Sequence, residues 1–194
     1  MKEKMECFVP EIRIPEWLVT YAEKLYGQPL PSPEERVRLT VELAAENVRR
    51  GTGGPFAAAL FDCENRRLHS IGINVVLSSG QSFAHAEMTA IAAAQRKTGR
   101  IDLAGFELVS SCEPCVMCFG GILWSGVSAL LYGAPGRMAA ETGFDEGDKV
   151  PDWHNSLESR GIRVCGPLLG EAADRKSTRL NSSHSGESRM PSSA

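Results

Sequence analysis

The stretch FELVSSCEPCVMCFGGILWS, residues 106–125, places a strand, a proline turn and a helix in immediate succession. Phe106 to Ser111 predicts a buried strand, because small and apolar residues fill most of it. Cys115 to Ser125 predicts a helix, with Pro114 directly before it. Cys115 and Cys118 therefore fall on one face of the first helical turn, where the helix dipole and free amides stabilise thiolates.

The elements predicted around this stretch alternate between strand and helix. Ser32 is expected to cap a helix that begins at Pro33, and His85 to Lys97 has the composition of another helix. The remaining predicted elements are short helices at Pro15–Leu25 and near Met138–Thr142, and strands at Phe56–Phe61, Leu68–Leu77, Val127–Tyr132 and Ile162–Cys165. Together they predict an α/β fold, a three-layer α/β/α sandwich around a central mixed sheet of about five strands.

The length and composition are typical of one soluble domain. The chain has 194 residues, of which 42% are hydrophobic and 23% charged. We expect an N-terminal arm and short helix at 1–32, the main domain at 33–173, and a disordered, non-native tail at 174–194. The tail contains seven serines and few apolar residues, so it has little to contribute to a core.

The charge and hydropathy patterns exclude some classes of function. A net charge of −3 disfavours a large nucleic-acid surface. No apolar run approaches the roughly 18 residues that span a bilayer, so we expect no membrane partner. The charged start of the chain leads into no apolar signal segment, which favours a cytoplasmic location.

Two short motifs carry the predicted chemistry, His85-Ala86-Glu87 and Pro114-Cys115-Val116-Met117-Cys118. In this order they match the H-x-E and P-C-x-x-C signature of zinc deaminases. One histidine and two cysteines supply three zinc ligands and leave the fourth position of a tetrahedral site for water. Water bound there would become a hydroxide near neutral pH and attack an amidine-like carbon, while Glu87 would shuttle protons to the leaving amine.

Other interpretations of the same motifs remain open at this stage. A closed structural zinc site would need a fourth ligand, for which His69 and His154 are the nearby candidates. Such a site would make the protein a non-enzymatic, zinc-stabilised binding module. A C-x-x-C motif can also be a redox site, although His85 and Glu87 would then have no role.

Longer runs around the motifs resemble the cytidine deaminase superfamily, and within it the bacterial guanine deaminases. These runs are GGPFAAA at 53–59, AHAEMTAI at 84–91, EPCVMCFG at 113–120, WSG at 124–126 and GFDEG at 143–147. The last run resembles guanine deaminases that also accept ammeline, a triazine analogue of guanine. The resemblance implies a cytidine deaminase-like fold, Zn²⁺ held by His85, Cys115 and Cys118, and Glu87 as proton shuttle.

The resemblance also implies roles for residues outside the two motifs. Asn74 would bond the edge of a purine ring and Phe56 would pack on its face, while the amide of Ala86 would contact the substrate. Phe56 could equally belong to the core, and Asn74 could simply end its strand through a bond from its side chain to the backbone.

Three more residues receive roles from the same resemblance. Glu146 would be a second acid that helps protonate the leaving amine, whereas Phe144 and Trp124 would wall the pocket. The alternatives are a solvated acid in a turn for Glu146 and core packing for both aromatic residues.

The expected reaction is guanine plus water giving xanthine and ammonia, catalysed by a purine-metabolism hydrolase that acts on cyclic amidines. Cytosine, cytidine and tRNA adenosine deaminases share the two motifs and remain alternatives. The resemblance implies a homodimer with a small-molecule nucleobase as substrate. The familiar pattern stops near residue 173, which leaves open whether the pocket closes and whether the dimer forms with this atypical C-terminus.

Overall fold

The computed structural model describes residues 12–168, so the predicted tail at 174–194 and residues 1–11 of the predicted N-terminal segment lie outside it. Its seven helices are α1 (Glu16–Leu25), α2 (Pro33–Arg49), α3 (Val76–Ser79), α4 (Ala86–Thr98), α5 (Val116–Ser125), α6 (Gly136–Glu141) and α7 (Trp153–Glu158). Its five strands are β1 (Ala57–Asp62), β2 (Leu68–Ile73), β3 (Phe106–Cys112), β4 (Ala129–Ala134) and β5 (Arg163–Cys165). No helix among these is long and apolar enough to cross a membrane.

The five strands form one mixed sheet in the order β2-β1-β3-β4-β5. Strand β1 pairs antiparallel with both β2 and β3. The pairs β3 with β4 and β4 with β5 are parallel. The predicted mixed sheet of about five strands is confirmed.

The two faces of the sheet bury different side chains, as expected for alternate positions along a strand. On β1, Ala57, Ala59 and Phe61 face a core that also contains residues of α1 and α2. Ala58 and Leu60 face a second core, built with residues of α4, α5 and α7. Helices therefore cover both faces, which confirms the predicted three-layer α/β/α sandwich.

Helix α2 begins as the sequence predicts. The Ser32 hydroxyl accepts a hydrogen bond from the Glu35 amide, and the Glu35 carboxylate accepts one from the Ser32 amide, which completes a capping box. The buried face of the helix includes the polar residues Arg36 and Asn47 beside Val37 and Leu43, whereas Val41 is only half-buried.

One predicted strand was too long, and one helix of the structure was not predicted. The strand predicted at Leu68–Leu77 ends at Ile73, because the Asn74 side chain accepts a hydrogen bond from the Val76 amide and the chain turns into α3. Helix α7 was not predicted at all, because only Leu157 among its six residues is fully buried and no apolar period marks it.

Candidate metal and catalytic site

The three predicted metal ligands come together at the starts of two helices. His85 precedes α4 as its N-cap, and Cys115 precedes α5 in the same way. Cys118 lies one turn into α5 and is fully buried. Ligand atoms of His85, Cys115 and Cys118 all lie within 4.8 Å of one another, and the Cys115 Sγ is 3.5 Å from His85 Nδ1.

The electrostatics of this group suit a thiolate site. Hydrogen bonds from the Cys118 thiol and the His85 ring, together with the Cys118 amide, lower the pKa of Cys115 to about 4 against the effect of burial. The hydrogen bond to Cys115 raises the pKa of His85. Hydrogen bonding to Cys115, and then burial, raises the pKa of Cys118. One nitrogen and two sulfur donors at this spacing fit a tetrahedral zinc site with three protein ligands.

A fourth protein ligand is not part of this group within residues 12–168. The two candidates weighed from the sequence have other neighbours. The ring of His69 stacks against Phe106, with centroids 4.6 Å apart. The Nε2 of His154 is 3.2 Å from the Tyr132 hydroxyl. Within residues 12–168 the group therefore offers three protein ligands, the number that catalytic zinc sites use alongside water.

Glu87 lies in the first turn of α4, two residues after His85, and is 6% exposed. Its Oε1 accepts a hydrogen bond of 2.8 Å from the Ser110 hydroxyl, and its Oε2 lies 3.2 Å from the Cys118 Sγ. Burial raises the pKa of Glu87, while the bond from Ser110 lowers it. A buried carboxyl beside the metal ligands, with a raised pKa, is suited to exchange protons.

Glu146 belongs to a long loop between α6 and α7 and is half-buried. Its carbonyl oxygen accepts a 3.0 Å hydrogen bond from the Val116 amide, directly beside Cys115. Burial, and then the charges of Cys115 and Glu87, raise the pKa of the Glu146 carboxyl to about 7. The side chain therefore experiences the field of the candidate metal site and is not a freely solvated acid.

Phe56 and Asn74 meet at the end of the first hairpin. The Phe56 carbonyl accepts a hydrogen bond from the Asn74 amide at 3.0 Å. Asn74 is 9% exposed, and its carbonyl accepts a 2.8 Å bond from Asn47 Nδ2. A Cβ atom at Gly54 would lie 3.3 Å from the Asn74 side chain. The GGPF run is thus packed closely against Asn74.

The Asn74 side chain ends its strand by bonding to the backbone, and its NH2 group remains a hydrogen-bond donor. Its Oδ1 accepts from the Val76 amide at 3.2 Å, which ends the strand. Phe56 contacts Phe144 edge to face, with ring centroids 4.9 Å apart. Ala86 is the first residue of α4, so its amide has no acceptor within the helix. These observations fit the expected substrate contacts, which remain predictions.

Trp124 is the residue that the fold does not bring to the site. It lies near the end of α5 with 83% of its surface exposed, six residues after Cys118 and therefore on another face of the helix. Within a single chain, the expectation that Trp124 walls the pocket is not supported, because the ring projects to solvent.

The structure also adds three residues that sequence reasoning missed: Ser110, Glu113 and Lys149. Ser110 bonds to Glu87 from the neighbouring strand β3. Lys149 forms an ion pair with Glu113, which directly precedes Pro114. The sequence signal for the first two was the occurrence of Ser110, Ser111 and Glu113 near the end of a mainly apolar strand, whereas nothing in the sequence marked Lys149.

The comparison with known families supports the same chemistry. The family described as the cytidine and deoxycytidylate deaminase zinc-binding region matches residues 31–134. The guanine deaminase of Bacillus subtilis (strain 168) is 41% identical over 129 residues, which cover 66% of this chain and 81% of that protein.

Solved structures give a similar result. A crystal structure of guanine deaminase from Nitrosomonas europaea has a TM-score of 0.84 and 38% identity, covering 90% of this chain and 97% of that one. A structure solved in complex with 2,6-diaminopurine has a TM-score of 0.86 and 37% identity, covering 93% and 97% of the two chains. The chain therefore belongs to the cytidine and deoxycytidylate deaminase family, is similar within it to bacterial guanine deaminases, and is a hydrolytic nucleobase deaminase.

Proposed function

We propose that this protein deaminates guanine, converting guanine and water to xanthine and ammonia in the cytoplasm. The observation that carries the proposal is the juxtaposition of the His85, Cys115 and Cys118 group with two carboxyls of raised pKa. The two similar proteins named as guanine deaminases support the choice of base. The similar structure in complex with 2,6-diaminopurine also supports it, because this purine carries substituents at the same two ring positions as guanine.

We propose zinc as the metal, because one imidazole and two thiolates form a donor set that zinc prefers. A zinc ion held by these ligands would supply the Lewis acidity that lowers the pKa of a bound water to about 7. The Cys115 sulfur, with its pKa of about 4, is ready to bind as a thiolate at neutral pH.

Glu87 is the proton carrier in this proposal. Its buried carboxyl is anchored at Oε1 by Ser110, and its Oε2 lies beside the sulfur of Cys118, one of the proposed metal ligands. From there Oε2 can accept the proton of the attacking water and return it to a ring nitrogen of the base. Glu146, whose pKa is raised by burial, then protonates the leaving amine as the C–N bond breaks, and the hydroxyl proton released when the carbonyl forms restores the acid.

The substrate base is held by the residues at the end of the first hairpin. Phe56 provides an aromatic face, and its edge-to-face contact with Phe144 fixes the ring orientation. The Asn74 amide provides a donor for an acceptor on the purine edge, since its Oδ1 is already bonded to Val76. We further propose that the active form is a homodimer, in which Trp124 would face the partner subunit.

A panel of free bases tests the choice of substrate. Ammonia release is measured for guanine, ammeline, adenine and cytosine with zinc-loaded protein. We expect guanine to give the highest kcat/KM, with ammeline as the next substrate. If cytosine were turned over more efficiently than guanine, the proposed substrate would be wrong although the metal chemistry would stand.

A further inference from the structure

Lys149 occupies the long loop that also carries Glu146, and its ammonium group is held from three sides. It forms an ion pair with the Glu113 carboxylate and donates a hydrogen bond to the Pro114 carbonyl at 2.7 Å. The ammonium also lies 4.9 Å from the centre of the Trp153 ring. Both charged side chains are largely buried, with 13% and 17% of their surfaces exposed. The pair is thus shielded from water more than an ordinary surface ion pair.

The acceptors of Lys149 belong to the segment that supplies the cysteine ligands. Glu113 and Pro114 immediately precede Cys115. Glu113 is itself fixed, because its second carboxylate oxygen accepts a 3.0 Å hydrogen bond from the Gly136 amide. Its own amide donates to the Ala134 carbonyl at 2.8 Å. Lys149 therefore attaches the long loop to a rigid part of the site.

A second attachment lies three residues earlier in the loop. The Val116 amide donates to the Glu146 carbonyl at 3.0 Å. Gly147 follows with a φ of +66°, and a Cβ atom there would lie 2.4 Å from the Val116 side chain. The loop is therefore pressed against the start of α5. Residues 142–152 contain no helix or strand, so these contacts provide the order that secondary structure does not.

We propose that Lys149 is a positioning residue that holds Glu146 beside the candidate metal site through its contacts with Glu113, Pro114 and Trp153. This inference rests on the proposed role of Glu146 as the second acid. Misplacing a reacting group by about 1 Å can lower a rate about 100-fold, so loss of the anchor should be visible in kcat.

The first test compares Lys149→Met with Lys97→Met. Lys97 serves as the control, since it also bonds a backbone carbonyl, that of His69 at 2.9 Å, and covers an aromatic ring, that of Tyr26, although it is more exposed than Lys149. It lies near the C-terminal end of α4, away from the metal ligands. We expect Lys149→Met to lower kcat on guanine about 10- to 100-fold with unchanged zinc content. Lys97→Met should leave kcat within about two-fold.

A second test asks whether the effect passes through Glu146. In a Glu146→Gln background, where the second acid is already lost, Lys149→Met should lower kcat less than about three-fold. If the full loss appeared in both backgrounds, or if Lys149→Met released zinc, the lysine would act on the metal ligands and the proposal would be overturned.

Hydrogen exchange provides a readout that does not depend on activity. We expect the Val116 amide, which donates to the Glu146 carbonyl, to exchange at least 10-fold faster in Lys149→Met than in Lys97→Met. Equal exchange rates would refute the positioning role. If the unmodified protein failed to deaminate guanine, the proposed function would fail, and this exchange measurement would still decide whether Lys149 orders the loop.

Discussion

Replacing Ser110 with alanine should disturb the orientation of Glu87 while leaving the binding of metal and substrate nearly unchanged. The Ser110 hydroxyl is buried on β3 and donates a 2.8 Å hydrogen bond to Glu87 Oε1. Glu87 is also buried, so water cannot easily replace the lost donor. The substitution removes one oxygen atom and leaves the metal ligands untouched.

The magnitude follows from the charge that Glu87 carries when it is ready to accept a proton. A hydrogen bond to a charged group is worth about 1.5–3 kcal/mol. Each 1.36 kcal/mol corresponds to a ten-fold change in rate, so kcat on guanine should fall roughly 10- to 150-fold. The KM should change less than about three-fold, because Phe56 and Asn74 remain in place.

Ser111→Ala is the matched control for this prediction. Ser111 is the next residue of β3, also buried, and its hydroxyl accepts a 3.1 Å hydrogen bond from the Ala57 amide instead of bonding to Glu87. Both variants should lose stability, by about 1–3 kcal/mol, in urea unfolding. Only Ser110→Ala should lose kcat. Equal kcat values for the two variants, with zinc content matched, would refute the reasoning about Glu87.

Three further predictions concern stability and the metal. In metal-free protein the pKa of Glu146 is raised to about 7, so folding favours its protonated form. Relative to Glu146→Gln, the unmodified chain should therefore lose about 1–3 kcal/mol of its free energy of unfolding as the pH rises from 5 to 8. A pH-independent difference in urea unfolding would contradict this. Removal of the metal by a chelator should lower Tm by about 8–16 °C relative to protein with free zinc at 1,000 times Kd, and adding zinc back should restore the Tm. An unchanged Tm would argue against a metal at this site. Arg36→Met should cost about 3 kcal/mol in urea unfolding, because the buried Glu107 loses its nearer partner, Arg36 Nε at 2.7 Å, and keeps the Arg66 guanidinium at 3.6 Å. The kcat should stay within about two-fold, and a cost below about 1 kcal/mol would show that the pair contributes little.

The part of the site that depends on local spacing could be predicted from the sequence. Cys115 and Cys118 are one turn apart, so helix geometry alone brings both thiols to one face of α5. His85 and Glu87 are only two residues apart, and they reach the same site because His85 is the N-cap of α4 and Glu87 lies in its first turn. The strand–turn–helix order around each motif also indicated the sandwich. What the motifs could not show is how two distant segments meet, since that depends on the pairing of β3 with its neighbours.

The contacts that were missed join residues far apart in the sequence. Ser110 is 23 positions from Glu87, and Lys149 is 36 positions from Glu113. No periodic pattern marks such pairs, because each partner is one polar residue within an otherwise ordinary segment. The strand predicted to reach Leu77 was wrong for a similar reason, since side chains of both Asn74 and Asn47 use the backbone there to turn the chain.

Trp124 shows the limit of transferring a role by resemblance. Its place in the WSG run implied a pocket wall, yet 83% of the residue faces solvent in the single chain. A single exposed aromatic residue is normal on a protein surface and does not by itself mark an interface. Light scattering of the zinc-loaded protein measures whether a dimer forms, which is required if a second copy is to cover Trp124.

The most direct test of the central claim is turnover of guanine by zinc-loaded protein and by its Glu87→Gln variant, followed as xanthine and ammonia. We expect the unmodified protein to release both products in equal amounts. The variant should keep one zinc per chain, because Glu87 lies outside the ligand group, and lose at least 1,000-fold in kcat. Comparable turnover by the two proteins, or loss of zinc from the variant, would contradict the assignment of Glu87 as proton carrier.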